Sequence, residues 1–259
     1  MGTVKGFGAL IIGDEIIRGK RQDKHFEKLR AILAARGLYL DWVLYMGDNR
    51  PRLVETLKRS LASDDVVFSF GGIGSTPDDH TRHAAAAAAG VPLALHPEAE
   101  EKIRARLASM DRPVTPTILE MGAFPVGSRI IPNPFNGIPG FSYADHHFVP
   151  GFPEMSWPMV EWVLDTYYRD RFNATPDVEA AILVWDGIEG LMVDLMQKIE
   201  RDYPGLTVFS LPSVGTETRR RHVELGVRGR PELVPAAMVE IEADIARRGL
   251  SFDRMDYGS

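Results

Sequence analysis

The chain has 259 residues, enough for one large and one small domain, and its 44% hydrophobic and 25% charged residues are typical of a globular protein. A net charge of −6 argues against a broad nucleic-acid-binding surface. The absence of cysteine excludes disulfides, thiolate metal sites and cysteine nucleophiles. No apolar stretch approaches the roughly 20 residues of a membrane-spanning helix, and the first residues lack a signal-peptide pattern. We therefore expect a cytoplasmic protein without nucleic-acid or membrane partners.

Apolar runs and helical patterns alternate through the first half of the chain. Buried strands are predicted at residues 9–13, 39–46 and 66–70. A helical pattern follows each strand, and the third helix is predicted to begin at Pro77 and to end at Gly90. Short connections of this kind imply right-handed crossovers and a mostly parallel sheet covered on both faces. The prediction is a three-layer α/β domain.

The middle of the chain is less regular. We expect a helix at residues 99–107, an ordered loop rich in proline and glycine at 130–140, a hairpin at 141–149 and a long helix after Pro153. His146 and His147 lie at the predicted hairpin turn, where exposure is expected. His80 and His83 have a helical spacing that can bind a metal, although an exposed helix face is the favoured interpretation.

The pattern of elements restarts near residues 172–176. A β-α-β-β-α order from there to the C-terminal region predicts a small α+β module, so we place the domains at residues 1–174 and 175–259. The run 219–221 consists of three arginines and is predicted to begin a hairpin strand. A solvated sheet edge explains that run better than a nucleotide or partner contact.

A glycine-rich turn follows the third predicted strand. Gly71, Gly72 and Gly74 fall within four positions, and glycine lets a ligand approach the main chain closely. A helix N-terminus just beyond would present unpaired N–H groups to an anion. A structural alternative explains the same residues about equally well, with Thr76 as the N-cap and Asp79 closing a capping box.

Two further polar loops follow predicted strands. Asp14 and Glu15 come after the first strand, and Asp48 comes after the second. Because ligands of such sheets bind beyond the carboxyl ends of the strands, we expect these loops and the glycine turn to converge at one edge. Helix capping by Asp48 and simple solvation of a turn by Asp14 and Glu15 stay open as alternatives.

Four sequence blocks together resemble the molybdopterin-binding (MoCF biosynthesis) domain family, in its CinA N-terminal-like branch. The blocks lie at residues 13–19, 47–48, 71–82 and 150–155. Residues 178–250 resemble the small trailing module of the same branch. Two departures are visible: residues 23–25 read Asp-Lys-His where the family usually has Asp-Thr-Asn, and the Pro150 block is one residue short.

The resemblance implies a site for a phosphorylated pterin or nucleotide. Molybdopterin is one possible ligand, and relatives are associated with metal-dependent cleavage of the pyrophosphate in ADP-ribose or FAD. The residues expected to contact the ligand are Gly13, Asp14, Gly71, Gly72, Ile73, Gly74, Ser75, Thr76, Arg82, Pro150, Gly151 and Glu154. A divalent metal, Mg²⁺ or Co²⁺, is expected on Asp48, Asp78 and Asp79, because a cation would reconcile these acids with an anionic ligand.

Catalysis is therefore one of three open interpretations, of which the third is a degenerate scaffold that acts through oligomerisation. In the first, Asp48 and Asp79 serve a metal-dependent nucleotide pyrophosphatase. In the second, the protein binds molybdopterin or a nucleotide without turnover during molybdenum cofactor biosynthesis. A homo-oligomer is expected in each case, because related domains often form dimers or trimers.

Overall fold

The computed structural model describes residues 6–173, 175–216 and 220–255. The chain forms two compact units that meet between Phe172 and Asn173, and each is described separately. In the described residues, no helix is long and apolar enough to cross a membrane.

The first unit contains eight strands and seven α-helices among its described residues. The strands are β1 (Phe7–Ile12), β2 (Trp42–Met46), β3 (Val66–Phe70), β4 (Leu93–Leu95), β5 (Ala123–Pro125), β6 (Arg129–Ile131), β7 (Gly140–Tyr143) and β8 (His146–Val149). The helices are α1 (Asp14–Ile17), α2 (His25–Ala34), α3 (Arg50–Leu61), α4 (Thr81–Ala89), α5 (Pro97–Ser109), α6 (Pro116–Leu119) and α7 (Pro153–Tyr167).

The main sheet has the strand order β2-β1-β3-β8-β7-β6. Strand β1 pairs in parallel with β2 and β3, and β3 pairs in parallel with β8. Strand β7 runs antiparallel to both of its neighbours. Strands β4 and β5 form a separate antiparallel pair. The mostly parallel α/β prediction is confirmed, with one antiparallel strand that comes from the predicted hairpin.

Alternation along the central strands places a core on each face of the sheet. Ala9 and Ile11 of β1 pack into one core with residues of α2 and α7, whereas Leu10 and Ile12 pack into another with residues of α3, α4 and α5. Successive side chains of a strand point to opposite faces, so a strand buried on both faces is apolar throughout. Helices on both faces make the three layers.

The predicted start of the third helix was wrong. Helix α4 begins at Thr81, four residues later than Pro77, and its N-cap residue His80 makes no side-chain capping bond. The carbonyl oxygen of Gly72 accepts a 2.9 Å hydrogen bond from the N–H of Thr81. The chain must first turn back from β3, and residues 76–79 form that turn instead of the first helical turn.

The predicted exposure of His146 and His147 was also wrong, since these side chains are 1% and 0% exposed. They begin β8, which lies in the sheet between β3 and β7. The Nε2 atom of His146 lies 2.9 Å from Ser60 Oγ. The ring of His147 lies between Ser142 Oγ, 2.8 Å from Nδ1, and the Tyr168 hydroxyl, 2.7 Å from Nε2. These distant partners satisfy polar groups that would otherwise favour solvent. His80 and His83 are partly buried instead of exposed.

The second unit is the predicted α+β module. It contains β9 (Val178–Trp185), α8 (Val193–Asp202), β10 (Leu206–Ser213), β11 (His222–Gly229), α9 (Val234–Arg247) and β12 (Phe252–Arg254). Its sheet is antiparallel with the order β10-β11-β9-β12, and Ile199 and Ile241 of the helices pack on Ile182 and Leu225. The short strand β12 was not predicted. Arg219 lies outside the described residues, and β11 begins after the arginine run.

Candidate functional site

A cavity of about 430 Å³ lies at the carboxyl edge of the main sheet. It is lined by the loops that follow β1, β2, β3 and β8, by the 133–139 loop, by the start of α7 and by Arg21 and Met121. Most of the predicted contacts line it, namely Gly13, Asp48, Gly71, Gly72, Ile73, Gly74, Ser75, Thr76, Asp78, Asp79, Pro150 and Gly151. The expected convergence of three loops is therefore observed. Asp14, Arg82 and Glu154 are not part of the lining.

The glycine turn adopts a conformation that requires glycine. Gly71 and Gly72 have φ angles of +98° and +70°. A Cβ on Gly71 would overlap the carbonyl oxygen of Ile12, and one on Gly72 would overlap Thr81 Oγ1. The N–H of Gly71 donates to Val149 O at 3.0 Å, which fastens the turn to the end of β8.

The next four N–H groups of the turn remain available. Among the described residues, the N–H groups of Gly72, Ile73, Gly74 and Ser75 have no hydrogen-bond acceptor, and all four residues line the cavity. Because α4 begins only at Thr81, these loop groups, and not a helix N-terminus, provide the donors. A run of free main-chain N–H groups in a turn is a typical binding site for an anion.

Asp14 and Asp48 hold two of the loops together. The N–H of Asp14 donates to Asp48 Oδ2 at 2.8 Å, and the N–H of Asp48 donates to Asp14 Oδ1 at 3.3 Å. Arg18 pairs with the other oxygen of Asp14 at 2.6 Å. Asp14 thus joins the loops from outside the cavity, whereas Asp48 faces it. Burial raises the pKa of Asp48, and the neighbouring charges of Asp14, Glu15 and Asp78 raise it further.

Asp79 has a structural role that limits its chemistry. Its Oδ2 atom accepts hydrogen bonds from the Thr76 N–H at 2.8 Å and from the Thr76 hydroxyl at 2.5 Å. Asp78 is exposed. Within the described ranges, no group of three or more His, Asp or Glu side chains is arranged to hold a metal ion. The three predicted metal ligands share one cavity without forming a preassembled centre.

Arg82 does not occupy the position expected of a ligand contact. Its side chain is 2% exposed, and its guanidinium donates to three main-chain carbonyls. Nη2 donates to Gly74 O at 2.6 Å, while Nη1 donates to Glu120 O and, at 3.4 Å, to Ala123 O. Burial lowers the pKa of Arg82, opposed by the nearby charges of Asp79 and Glu120. The predicted direct contact is corrected to a place behind the glycine turn.

The two departures in sequence have structural counterparts. The carboxylate of Asp23 accepts hydrogen bonds from the N–H groups of His25 and Phe26, the first two residues of α2, at 2.8 and 3.1 Å. The buried His25 ring stacks on Phe70 with ring centroids 4.5 Å apart, and its Nε2 lies 3.2 Å from Gly151 O. Burial lowers the pKa of His25, which favours the neutral ring with Nε2–H donating to this carbonyl. His25 therefore supports the Pro150–Gly151 loop.

Several lining residues were not predicted as contacts. Arg21 is one of them and contributes a positive charge. Conversely, Glu154 was predicted as a contact, but it lines a neighbouring pocket together with Arg21 and His25. Asn133 and Asn136 bond each other at 2.9 Å and shape the 133–139 loop. The proline-flanked Asn133 in the sequence was the available signal for an ordered loop here, whereas no local pattern marked Arg21.

The fold and the site define an α/β domain with a small-molecule cavity at the carboxyl ends of its parallel strands. The family described as "Probable molybdopterin binding domain" matches residues 8–170, so the chain belongs to this family.

Named relatives are similar in sequence to this chain, and a solved structure has a similar fold. A "CinA-like protein" of Myxococcus xanthus is 32% identical over 172 residues, which cover 65% of this chain and 41% of that protein. A "CinA-like protein" of Parasynechococcus marenigrum is 28% identical over 250 residues, covering 94% of this chain and 58% of that protein. The chain thus spans about half the length of these relatives. The crystal structure of CinA from Thermoplasma acidophilum, described as of unknown function, has a TM-score of 0.56 at 23% identity. The matched region covers 62% of this chain and 97% of that structure's chain, so the two share a fold.

Proposed function

We propose that the cavity binds a phosphorylated pterin or nucleotide, with a phosphate held by the N–H groups of residues 72–75. The observation that carries this proposal is the row of four main-chain N–H groups without an acceptor at the glycine turn. Membership of a molybdopterin-binding family supports the same class of ligand.

The remainder of the cavity suits the ring of such a ligand. Ile138, Pro139, Phe152 and Met155 provide apolar lining in addition to the polar turn. A volume of about 430 Å³ falls within the usual range of small-molecule sites. The apolar lining would contact a flat ring while the turn fixes the phosphate.

A second candidate is metal-dependent hydrolysis of a nucleotide pyrophosphate. The acidic groups Asp48, Glu15 and Asp78 favour it, because they line a site with donors for an anion. Burial, together with the negative charges of Glu15 and Asp78, raises the pKa of Asp48. Asp48, Asp78 and the second oxygen of Asp79 would hold the Mg²⁺ or Co²⁺ ion. A bound divalent ion would polarise the phosphoryl group and lower the pKa of water.

The protein's own groups would prepare the site in either case. The N–H of Asp14 fixes the Asp48 carboxylate at the cavity, and the free N–H groups of the turn would orient a phosphate. Thr76 holds Asp79 by two hydrogen bonds, so this carboxylate is positioned before any ligand binds.

A thermal-shift and turnover series tests both candidates. Molybdopterin, ADP-ribose and FAD are each offered with Mg²⁺, with Co²⁺ and with chelator. A ligand at 100 times its Kd is expected to stabilise the protein by about 2.7 kcal/mol. Failure of all three to bind would reject the proposed function. Binding without turnover would leave the non-catalytic function and reject the hydrolase.

Asp48→Asn separates the two candidates further. Without metal, the variant is expected to bind ADP-ribose about threefold more tightly, because one negative charge beside the phosphate is removed while an oxygen remains for the Asp14 N–H. Any metal-dependent turnover is expected to fall. The matched control is Glu55→Gln on the exposed side of α3. Unchanged affinity by calorimetry would contradict a phosphate near Asp48.

The expected homo-oligomer remains a proposal. Light scattering on the purified chain tests it, and the mass of a 28.8 kDa monomer at high concentration would contradict it.

A further inference from the structure

Arg82 is an unusual group to find behind an anion site. A guanidinium that is 2% exposed normally pairs with a carboxylate, because an isolated buried charge is costly. The acceptors of Arg82 among the described residues are the carbonyl oxygens of Gly74, Glu120 and Ala123, and its Nε atom has no partner. The positive charge therefore lies against the back of the glycine turn.

The hydrogen bond from Arg82 to the carbonyl oxygen of Gly74 fixes the orientation of the peptide group between Gly74 and Ser75. The carbonyl of Gly74 and the N–H of Ser75 belong to one peptide group, and no cis peptide bond occurs in the described residues. In a trans peptide group these two bonds point in opposite directions. Because the carbonyl points at Arg82, the N–H of Ser75 points away from Arg82, and Ser75 is one of the residues that line the cavity.

The same bond strengthens Ser75 as a donor. Hydrogen bonds that involve a charged group are about twice as strong as neutral ones, and a peptide group whose carbonyl is engaged becomes a better donor through its N–H. Nη1 of Arg82 also anchors the 120–123 segment, whose Met121 lines the cavity. The Arg82 side chain thus connects two segments that line the cavity without lining the cavity itself.

We propose that Arg82 is a positioning residue that orients and polarises the Gly74–Ser75 peptide group, so that its N–H binds the phosphate of the ligand. This inference rests on the proposed phosphate site. Asp79 also restrains the turn, because its carboxylate accepts two hydrogen bonds from Thr76 and lies close to Gly74.

The test combines nuclear magnetic resonance of the full chain with ADP as the probe. In the wild-type protein, a coupling through the hydrogen bond between Arg82 Nη and the Gly74 carbonyl carbon is expected, together with a downfield Ser75 amide nitrogen. Arg82→Lys keeps the charge but lacks the planar fork that reaches three carbonyls. We expect it to shift the Ser75 amide nitrogen upfield and to weaken ADP binding about tenfold.

Arg36→Lys is the matched control. Arg36 is likewise a structural arginine of this unit, with two bonds to Asp165 and one to Ile32 O, but it does not contact the turn. It is expected to lower stability without changing the Ser75 resonance or the affinity for ADP. Arg82→Gln, which keeps an amide NH2 donor and removes the charge, is measured in parallel in case Arg82→Lys does not fold.

The outcomes separate this inference from the proposed function. If wild-type protein binds ADP and a folded Arg82 variant leaves both the Ser75 resonance and the affinity unchanged, the inference is overturned and the proposed function stands. If the Arg82–Gly74 coupling is absent in the wild type, the inference is also overturned. If the coupling is present but no phosphate compound binds, the proposed function fails and the orientation of the peptide group stands.

Discussion

Gly71→Ala is expected to lower the free energy of unfolding of the first unit by about 3 kcal/mol and to abolish ligand binding. Gly71 has a φ of +98°, and an added Cβ would overlap the main-chain carbonyl oxygen of Ile12. A clashing side chain could rotate away, but this atom is a main-chain carbonyl oxygen. It belongs to β1, which is paired with a strand on each side and cannot move easily. The turn itself must therefore move, and its free N–H groups move with it.

Gly127→Ala is the matched control for this substitution. Gly127 has a φ of +94°, close to that of Gly71, and an added Cβ would meet its nearest neighbour only at 3.9 Å. In this variant the free energy of unfolding is expected to fall by about 1 kcal/mol, from backbone strain alone, and the ligand affinity is expected to stay the same. Equal losses for the two variants would contradict the proposed role of the close approach to β1.

Urea unfolding followed by tryptophan fluorescence provides the measurement. Trp42, Trp157 and Trp162 belong to the first unit and Trp185 to the second, so a Trp185→Phe background reports the first unit alone. Because two units need not unfold together, this separation is required for a two-state treatment.

The first unit is expected to lose stability as the pH falls below about 6.5. Burial lowers the pKa of His146 to about 4 and that of His147 to about 3, from 6.5 in an unfolded chain. The unfolded state therefore binds more protons than the folded state between these values and pH 6.5, so stability falls with decreasing pH. The stabilising contributions of both neutral histidines are fully present well above pH 6.5. Their loss is expected to lower the free energy of unfolding by about 5 kcal/mol by pH 4.5.

His146→Gln isolates one of the two groups. The glutamine amide can keep the hydrogen bond from the Nε2 position to Ser60 but cannot be protonated in this range. The variant is expected to lose about half of the pH dependence while folding normally at pH 8. The check is urea unfolding of the Trp185→Phe background at pH 8 and pH 4.5, with and without the substitution. If the free energy of unfolding changes with pH as much in the variant as without the substitution, His146 is not the neutral buried group described above.

The parts of the fold that were predicted correctly depend on local patterns. The strand at Val66–Phe70 is apolar except for the buried Ser69 because both of its faces are buried, and this signal is present in any window around it. The alternation of strands and helices then restricts the connections to a parallel sheet, and the parallel sheet brings the three loops to one edge. For the same reason the edge of the sheet that holds the cavity could be predicted from the sequence.

The wrong predictions share a different physical cause. His146 and His147 look like turn residues in sequence, and only Ser60, Ser142 and Tyr168, which are distant or on another strand, make their burial possible. The start of α4 was misplaced because Thr76 and Asp79 do form a local hydrogen-bonded pair, but as a turn and not as a helix cap. In each case the local pattern was compatible with two structures, and the observed one is the one that makes hydrogen bonds to other segments of the chain.

The sequence by itself determined the α/β class, the α+β module and the edge of the sheet at which the polar loops meet, because these follow from periodicity, chain connection and the special conformations of glycine. Only the tertiary structure decided what each polar side chain does there. It placed Asp48 in the cavity and Asp14 outside it, and it turned Arg82 from a ligand contact into a support of Gly74. The reason is that a charged side chain binds whichever partner the folded chain brings within about 3 Å, and that partner is not encoded beside it in the sequence.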